Sequence, residues 1–507
     1  GFIFNTSDTQ TVSGVLSGSG NYSLYDTDVS GELTLTGNNT FSSALKQYGG
    51  SLIIGHNNAL GSSPSITLFG TSTKRIGLTN SAVSPSLTLT GNGGSRTLAL
   101  SSNFEVGSLT NSDGNVTLNM VSARSLTVGS ANSDTTFAGI LSGTGKLYKS
   151  GSGTLTLSGT NTYTGGTDIT AGGILITNDR NLGAVPGSAD ADNVIIRNGA
   201  TLATGNANVS MAANRGFNVP SGTAKLLKYT RKSWTLNNPI SGSGGVNFDD
   251  STASGGNGGG GGRYYLKVAN TYTGDTLISF RGTRDPGVVV DHNNAFQNTT
   301  VDYNNTNIPN ANETSEPLLW FRTTAPVLGG LKGDRDLINE QSFTANAVLN
   351  IGNNNEDTTF SGRIRDGQRT YGIKKIGTGS LTLTGSNSYS GGTTLAGGSI
   401  SGYSGDLSLA PTSAITLSSN LSSPSLSGSA NINLSSYTLT IGSDNTSTSY
   451  TGVISGTGGM VKQGSGTLTL TGTQTYTGDT TISAGTLTVS GSGSLNSGNY
   501  AGAIANS

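Results

Sequence analysis

Two distant stretches of the chain align without a gap: residues 137–169 read FAGILSGTGKLYKSGSGTLTLSGTNTYTGGTDI and residues 450–482 read YTGVISGTGGMVKQGSGTLTLTGTQTYTGDTTI. Self-similarity of this kind constrains the fold strongly. A repeated unit of a few short strands cannot bury its apolar face alone and must stack on its own copies. A third copy runs from Phe360 to Leu395, where IGTGSLTLTGSNSYSGGTTL matches after a three-residue insertion. A fourth is partial, NPISGSGGVNF at 238–248 and then YYLKVANTYTGDTLI at 264–278. The first is the most diverged, with VSGVLSGSGNYSL at 12–24 and GELTLTGNNTFSS at 31–43. One aromatic anchor marks each unit: Phe41, Tyr163, Tyr272, Tyr389 and Tyr476. The copies divide residues 1–507 into five degenerate units, about 1–125, 126–235, 236–348, 349–438 and 439–507, of one continuous architecture.

Each copy has a strand–turn–strand grammar. Leu155 and Leu157 alternate with Thr154 and Thr156, the period of a strand buried on one face. Leu33 and Leu35, Leu381 and Leu383, and Leu468 and Leu470 repeat the pattern, with glycine and asparagine as turn residues on either side. No segment sustains a helical apolar period. Hydrophobic residues are only 32% of the chain, too few for a thick core, while 78 glycines supply turns. A net charge of −1 leaves no self-repulsion to hold the chain open. Short strands paired on both sides around thin apolar stacks satisfy all of these conditions. The expected fold is therefore all-β: a parallel β-helix, one elongated β-solenoid whose rungs each add about 4.8 Å. With coils of about 20 to 25 residues, the rod would be roughly 100 Å long.

The string GxGTLTLxGxNTYTGGTxIxxGxLxV, best seen at 151–176 and 464–489, resembles the autotransporter-associated β-strand repeat, also called the passenger-associated transport repeat. The resemblance implies a right-handed parallel β-helix and a secreted or surface-exposed passenger of a bacterium with an outer membrane. It implies nothing about activity. Members often end in a membrane β-barrel translocator, and no stretch after residue 480 resembles one. That domain is expected to have been removed, or export to use another route. The chain begins at Gly1 without a leader, so any secretion signal is expected to be absent from it.

Several chemistries lack their residues. There is no cysteine, hence no disulfide or thiolate metal site. No apolar run reaches the roughly 18 to 20 residues of a membrane span, and near-neutral charge gives no footing for nucleic acid. His56 and His292 each follow an apolar strand and precede Asn-Asn-Ala; Asn178 and Gly491 fill the same slot elsewhere, which marks a turn position rather than an acid/base site. The carboxylates available for polysaccharide chemistry are Asp249, Asp250, Asp285 within 281–287, and those of KGDRDLINE at 332–340. Local ion pairing in solvated loops is the simpler role for them. The glycine run 255–262 carries no Asp and reads as a loop; NNNED at 353–357 offers oxygen ligands, but its counterpart SANSD at 130–134 reads as an ordinary turn. Thr156, Thr382 and Thr469, on outward strand positions, could form flat hydroxyl ladders suited to ice or glycan contact, but threonine is also a common outward strand residue because it is β-branched, and that is the simpler role. No catalytic, cofactor or metal residue is assigned.

The stretch 281–348 is the least repetitive and reads as an insertion looped off the solenoid, with Trp320, Phe321 and Arg322 as a ligand or partner patch. Phe2, Ile3 and Phe4 form an apolar edge strand suited to β-augmentation. The leading expectation is thus an extracellular structural protein that self-associates head-to-tail into a surface or matrix filament. The alternatives are a passenger adhesin that binds glycans or neighbouring cells, and a β-helix enzyme acting on polysaccharides.

Overall fold

The computed structural model describes residues 2–5, 8–25, 31–62, 64–70, 73–79, 85–229, 231–250, 262–280, 287–304, 318–339, 345–385, 387–391, 393–401, 407–409, 415–417, 420–429, 431–495 and 502–506. Among them there is no α-helix; two short 3₁₀ turns, Val121–Ala123 and Asp179–Leu182, interrupt the strands. The chain falls into two compact units, Gly1–Tyr264 and Tyr265–Ser507.

Within the first unit the strands stack as parallel ladders. Leu155 lies on Ile174, Ile174 on Leu202, Leu202 on Leu226 and Leu226 on Phe248, each on the next coil, and all five are buried. The second ladder runs Leu126, Leu147, Thr167, Val194 and Phe217. The second unit repeats the arrangement, with Leu349 on Ile373 and Thr393, and Leu439 on Met460 and Thr480. This is the parallel β-solenoid expected from the repeats. The alternation is also as expected: Glu32–Leu35, Thr154–Leu157, Ser380–Leu383 and Thr467–Leu470 bury their leucines and turn their polar residues outward.

Corners set where one strand stops and the next begins. Gly151 sits at φ +66°, and a Cβ there would fall 1.9 Å from the carbonyl oxygen of Gly129 on the coil before. Gly377 over Gly352 and Gly464 over Gly442 repeat this backbone contact, so only glycine fits. On the far side of each turn an asparagine in left-handed conformation, Asn132, Asn355 or Asn445, accepts a hydrogen bond from the backbone of the following coil. Asp134 and Asp357 do the same for Thr154 and Ser380. The oxygens of 353–357 and 130–134 that offered themselves as ligands are thus spent in part on capping coils.

The described parts of 281–348 belong to the ladders instead of leaving them. Gly287–Val290 pairs with Leu319–Phe321, and Phe296–Asp302 pairs with Val327–Lys332 through a register shift. The sequence here is irregular because its coils carry Trp, Phe and Val in place of the Leu-Thr alternation. Asp285, and residues 281–286 generally, lie outside the described residues, as do 255–261 of the glycine run.

Candidate functional site

A few polar side chains of each repeat are turned inward at the corners. Two residues before each aromatic anchor stands an amide: Asn39, Asn161, Asn270, Asn387 and Gln474. The amide oxygen accepts the backbone N–H of the coil before, from Leu16 to Asn39 (2.8 Å), Leu141 to Asn161 (2.7 Å), Ile364 to Asn387 (2.8 Å) and Ile454 to Gln474 (2.6 Å). The amide nitrogen donates to a carbonyl of the next coil at Asn39, Asn161 and Asn270. Each anchor tyrosine then meets a buried threonine four residues on: Tyr163 and Thr167, Tyr272 and Thr276, Tyr389 and Thr393 at 2.6 Å, and Tyr476 and Thr480 at 2.7 Å. In the first unit Phe41 has no hydroxyl, and Leu45 replaces the threonine.

A buried lysine occupies a second corner. Lys149 Nζ donates to Ser150 O and to Gly151 O at 3.0 Å, and Lys462 Nζ donates to Gln463 O at 2.8 Å and Gly464 O at 2.9 Å. Lys375 repeats the contact. Gln47, six residues after Phe41 and so at a different place in the repeat, also donates into a glycine turn, to Gly50 O at 3.1 Å. Burial pushes the Lys149 and Lys375 amines down to about 8. Reading the repeats for apolar periodicity passed over both devices, although the amide was visible as the residue two before every anchor.

The residues singled out from sequence lie apart. Trp320 and Phe321 are 1% and 0% exposed and pack inside the ladder, with the indole filling the room left by Gly287. Only Arg322 is exposed, and its Nε pairs with Asp291 at 3.3 Å. A surface patch of all three therefore does not form. Ile3 is 68% exposed on Phe2–Asn5, which pairs with Tyr22–Tyr25. His56 and His292 stand in matching turns, where Nδ1 accepts the backbone N–H two residues on at 3.0 and 3.1 Å; the Asn178 side chain accepts likewise from Arg180. Asp249 and Asp250 are buried, with Asp249 paired to Lys225 at 3.2 Å. Asp336, in the 332–340 run, is held by Arg363 below the usual carboxylate range, against the opposing effect of burial.

One carboxylate cluster does span neighbouring coils. Lys332 Nζ lies 2.6 Å from Asp275 and 3.7 Å from Asp302. Burial raises the Asp302 carboxyl and Asp275 adds to it, while Lys332 opposes. Burial also works against the ammonium, yet Asp275, Asp302 and Glu356 hold it above the ordinary lysine value. Lys332 thus ties its own coil to those of Asp302 and Asp275. Among the described residues no group of His, Asp and Glu is arranged to hold a metal ion.

An open concavity lies elsewhere, on the outward face of the first unit. Strand Ser108–Thr110 and the next strand of that face, Thr135–Phe137, are joined by a single bridge from Asn111 to Phe137 among the described residues. Where the ladder thins, a groove of about 350 Å³ opens, lined by Thr88, Thr110, Ser112, Asp134, Thr136 and Thr156. Thr88 and Thr110 hydroxyls lie 2.8 Å apart. On the two preceding coils Tyr48 and Phe69, both half-buried, stack with ring centroids 4.6 Å apart.

The passenger-associated transport repeat matches residues 30–54, 147–176, 373–401 and 460–489. The chain is also similar to the "Adhesin BmaC autotransporter" of Brucella suis biovar 1 (strain 1330), 32% identical over 405 residues. The chain carries four copies of the passenger-associated transport repeat. The aligned region covers 75% of this chain and 11% of the adhesin, so the chain spans a small part of that relative's length. No solved structure matches the chain. The matches at 147–176, 373–401 and 460–489 contain the corner lysine, the glycine turn and the TLTL-type strand, and the match at 30–54 contains the strand Glu32–Leu35 and the anchor Phe41. The partial copy at 264–278 falls outside them but keeps Asn270, Tyr272 and Thr276 in the same contacts. What the passenger-associated transport repeat conveys is thus a way of closing coils.

Proposed function

We propose that this chain is a segment of an adhesive passenger, exposed on or released from the surface of a Gram-negative bacterium, with a non-enzymatic role. The observation that carries the reading is the similarity to the Brucella adhesin over three quarters of the chain. The solenoid supports it: polar corner groups are consumed in holding coils together, and the outward faces are left for contact. Display of residues 1–507 on a non-adherent bacterial host tests the reading. Adherence to cell monolayers or to neighbouring bacteria should rise well above that of the undecorated host; equal adherence removes the proposal.

Self-association is the finer part of the proposal. The edge of Phe2–Asn5 opposite Tyr22–Tyr25 has no partner strand among the described residues, and Ile3 projects from it. Such an edge takes up another strand, from a further coil of a longer polypeptide or from a second copy, and in the second case copies join into a filament. Sedimentation of the purified chain distinguishes these. Assembly that grows with concentration and is lost in Ile3→Lys supports the filament, whereas a strict monomer at high concentration leaves only the intramolecular partner.

A further inference from the structure

We propose that the groove across Thr88, Thr110, Thr136 and Thr156 is a binding site for an uncharged glycan. The inference rests on the adhesive reading and names the ligand class for it. Four threonines from four coils line it: Thr88 pairs with Thr110 and Thr136 with Thr156 across neighbouring strands, and the Thr88 and Thr110 hydroxyls hydrogen-bond to each other at 2.8 Å. A hydroxyl both donates and accepts, as do the hydroxyls of a sugar, so a ladder of them pairs with a saccharide without a charged partner. The groove volume, about 350 Å³, is at the small end of ligand sites and suits a short stretch of chain rather than a branched ligand.

Its electrostatics select among glycans. Asp134 is the charged residue lining the groove, and no lysine or arginine lines it. One oxygen of Asp134 already accepts the Thr154 N–H at 2.7 Å, which fixes the carboxylate in place. An acidic polysaccharide would therefore meet a fixed like charge with nothing to offset it, whereas an uncharged sugar gains a strong acceptor.

Titration of the 507-residue chain with cellohexaose, laminarihexaose and maltohexaose, and with polygalacturonate as the acidic counterpart, tests the assignment. At least one uncharged oligomer should bind. Thr110→Val with Thr136→Val, which keeps shape and β-preference, should weaken it about tenfold or more, a loss of about 1.4 kcal/mol. The matching serine pair should retain binding, and an unchanged melting midpoint should show that both variants fold. Failure of all three oligomers to bind, equal binding by the valine variant, or tighter binding of polygalacturonate would each overturn the proposal. The two readings fail separately. If displayed chain adheres and its valine variant adheres equally, adhesion stands and the groove falls; if oligomers bind but display confers no adherence, the groove stands alone.

Discussion

Tyrosine 163 and its three counterparts place a hydroxyl where a protein interior tolerates it least. Each is buried, and each solves the problem with a threonine one turn of chain further on. Burial pushes the Tyr163 phenol up to about 12, so it stays protonated and hydrogen-bonded at all ordinary pH. The first unit shows the other solution, Phe41 with Leu45, both buried. Removing one partner strands the other, while replacing both with apolar groups is nearly neutral. Tyr163→Phe alone should therefore cost about 1 to 2 kcal/mol. Tyr163→Phe with Thr167→Leu should recover most of it, which denaturant melts of the two single variants and the double would register as coupling of about 1 kcal/mol or more. Additive losses would show that the pair is not a unit. The anchors were legible in the sequence because aromatics are rare in this chain; the threonine was not, since threonine occurs everywhere in it and only the contact separates this one from the outward ladder.

At the scale of a strand and its turn, the corner lysine couples the ladder to pH. An unfolded lysine titrates near 10.4, whereas Lys149 and Lys375 titrate at about 8 in the folded chain. Between about pH 8 and 10 the unfolded chain binds more protons than the folded one, so stability rises with pH across that window, by up to about 1.4 kcal/mol per unit for each lysine. Below about pH 8 both states are protonated and the contribution is flat. Above about pH 10 unfolded tyrosines ionise while buried ones do not, and the trend reverses. A thermal midpoint that climbs from pH 8 to 9.5, and climbs less in Lys149→Gln, is the expected result. A midpoint falling through that range would contradict it. The strands themselves, Thr154–Leu157 and its equivalents, could be read from alternation alone because a half-buried strand has no other period. The lysine could not, because a single lysine beside a glycine turn has the appearance of a solvated residue. Trp320 misled for a related reason: irregular sequence suggested a loop, but register depends on backbone pairing, which bulky side chains preserve as readily as leucine does.

For the molecule as a whole, repetition made the architecture legible and left the site obscure. Copies reveal what every coil must share, and what they share is the means of stacking. The groove arises where a ladder is thinned between Thr110 and Thr136, a departure from repetition that no copy announces. The buried corner amides have a further consequence, for the order of events in folding. Asn161 ties the coil of Leu141 to that of Asn181, so it is satisfied only after both neighbours have arrived. A stack broken off after the coil of Asn161 accordingly ends in an amide without its acceptor and a row of open backbone groups, and the next stretch of polypeptide settles by satisfying both.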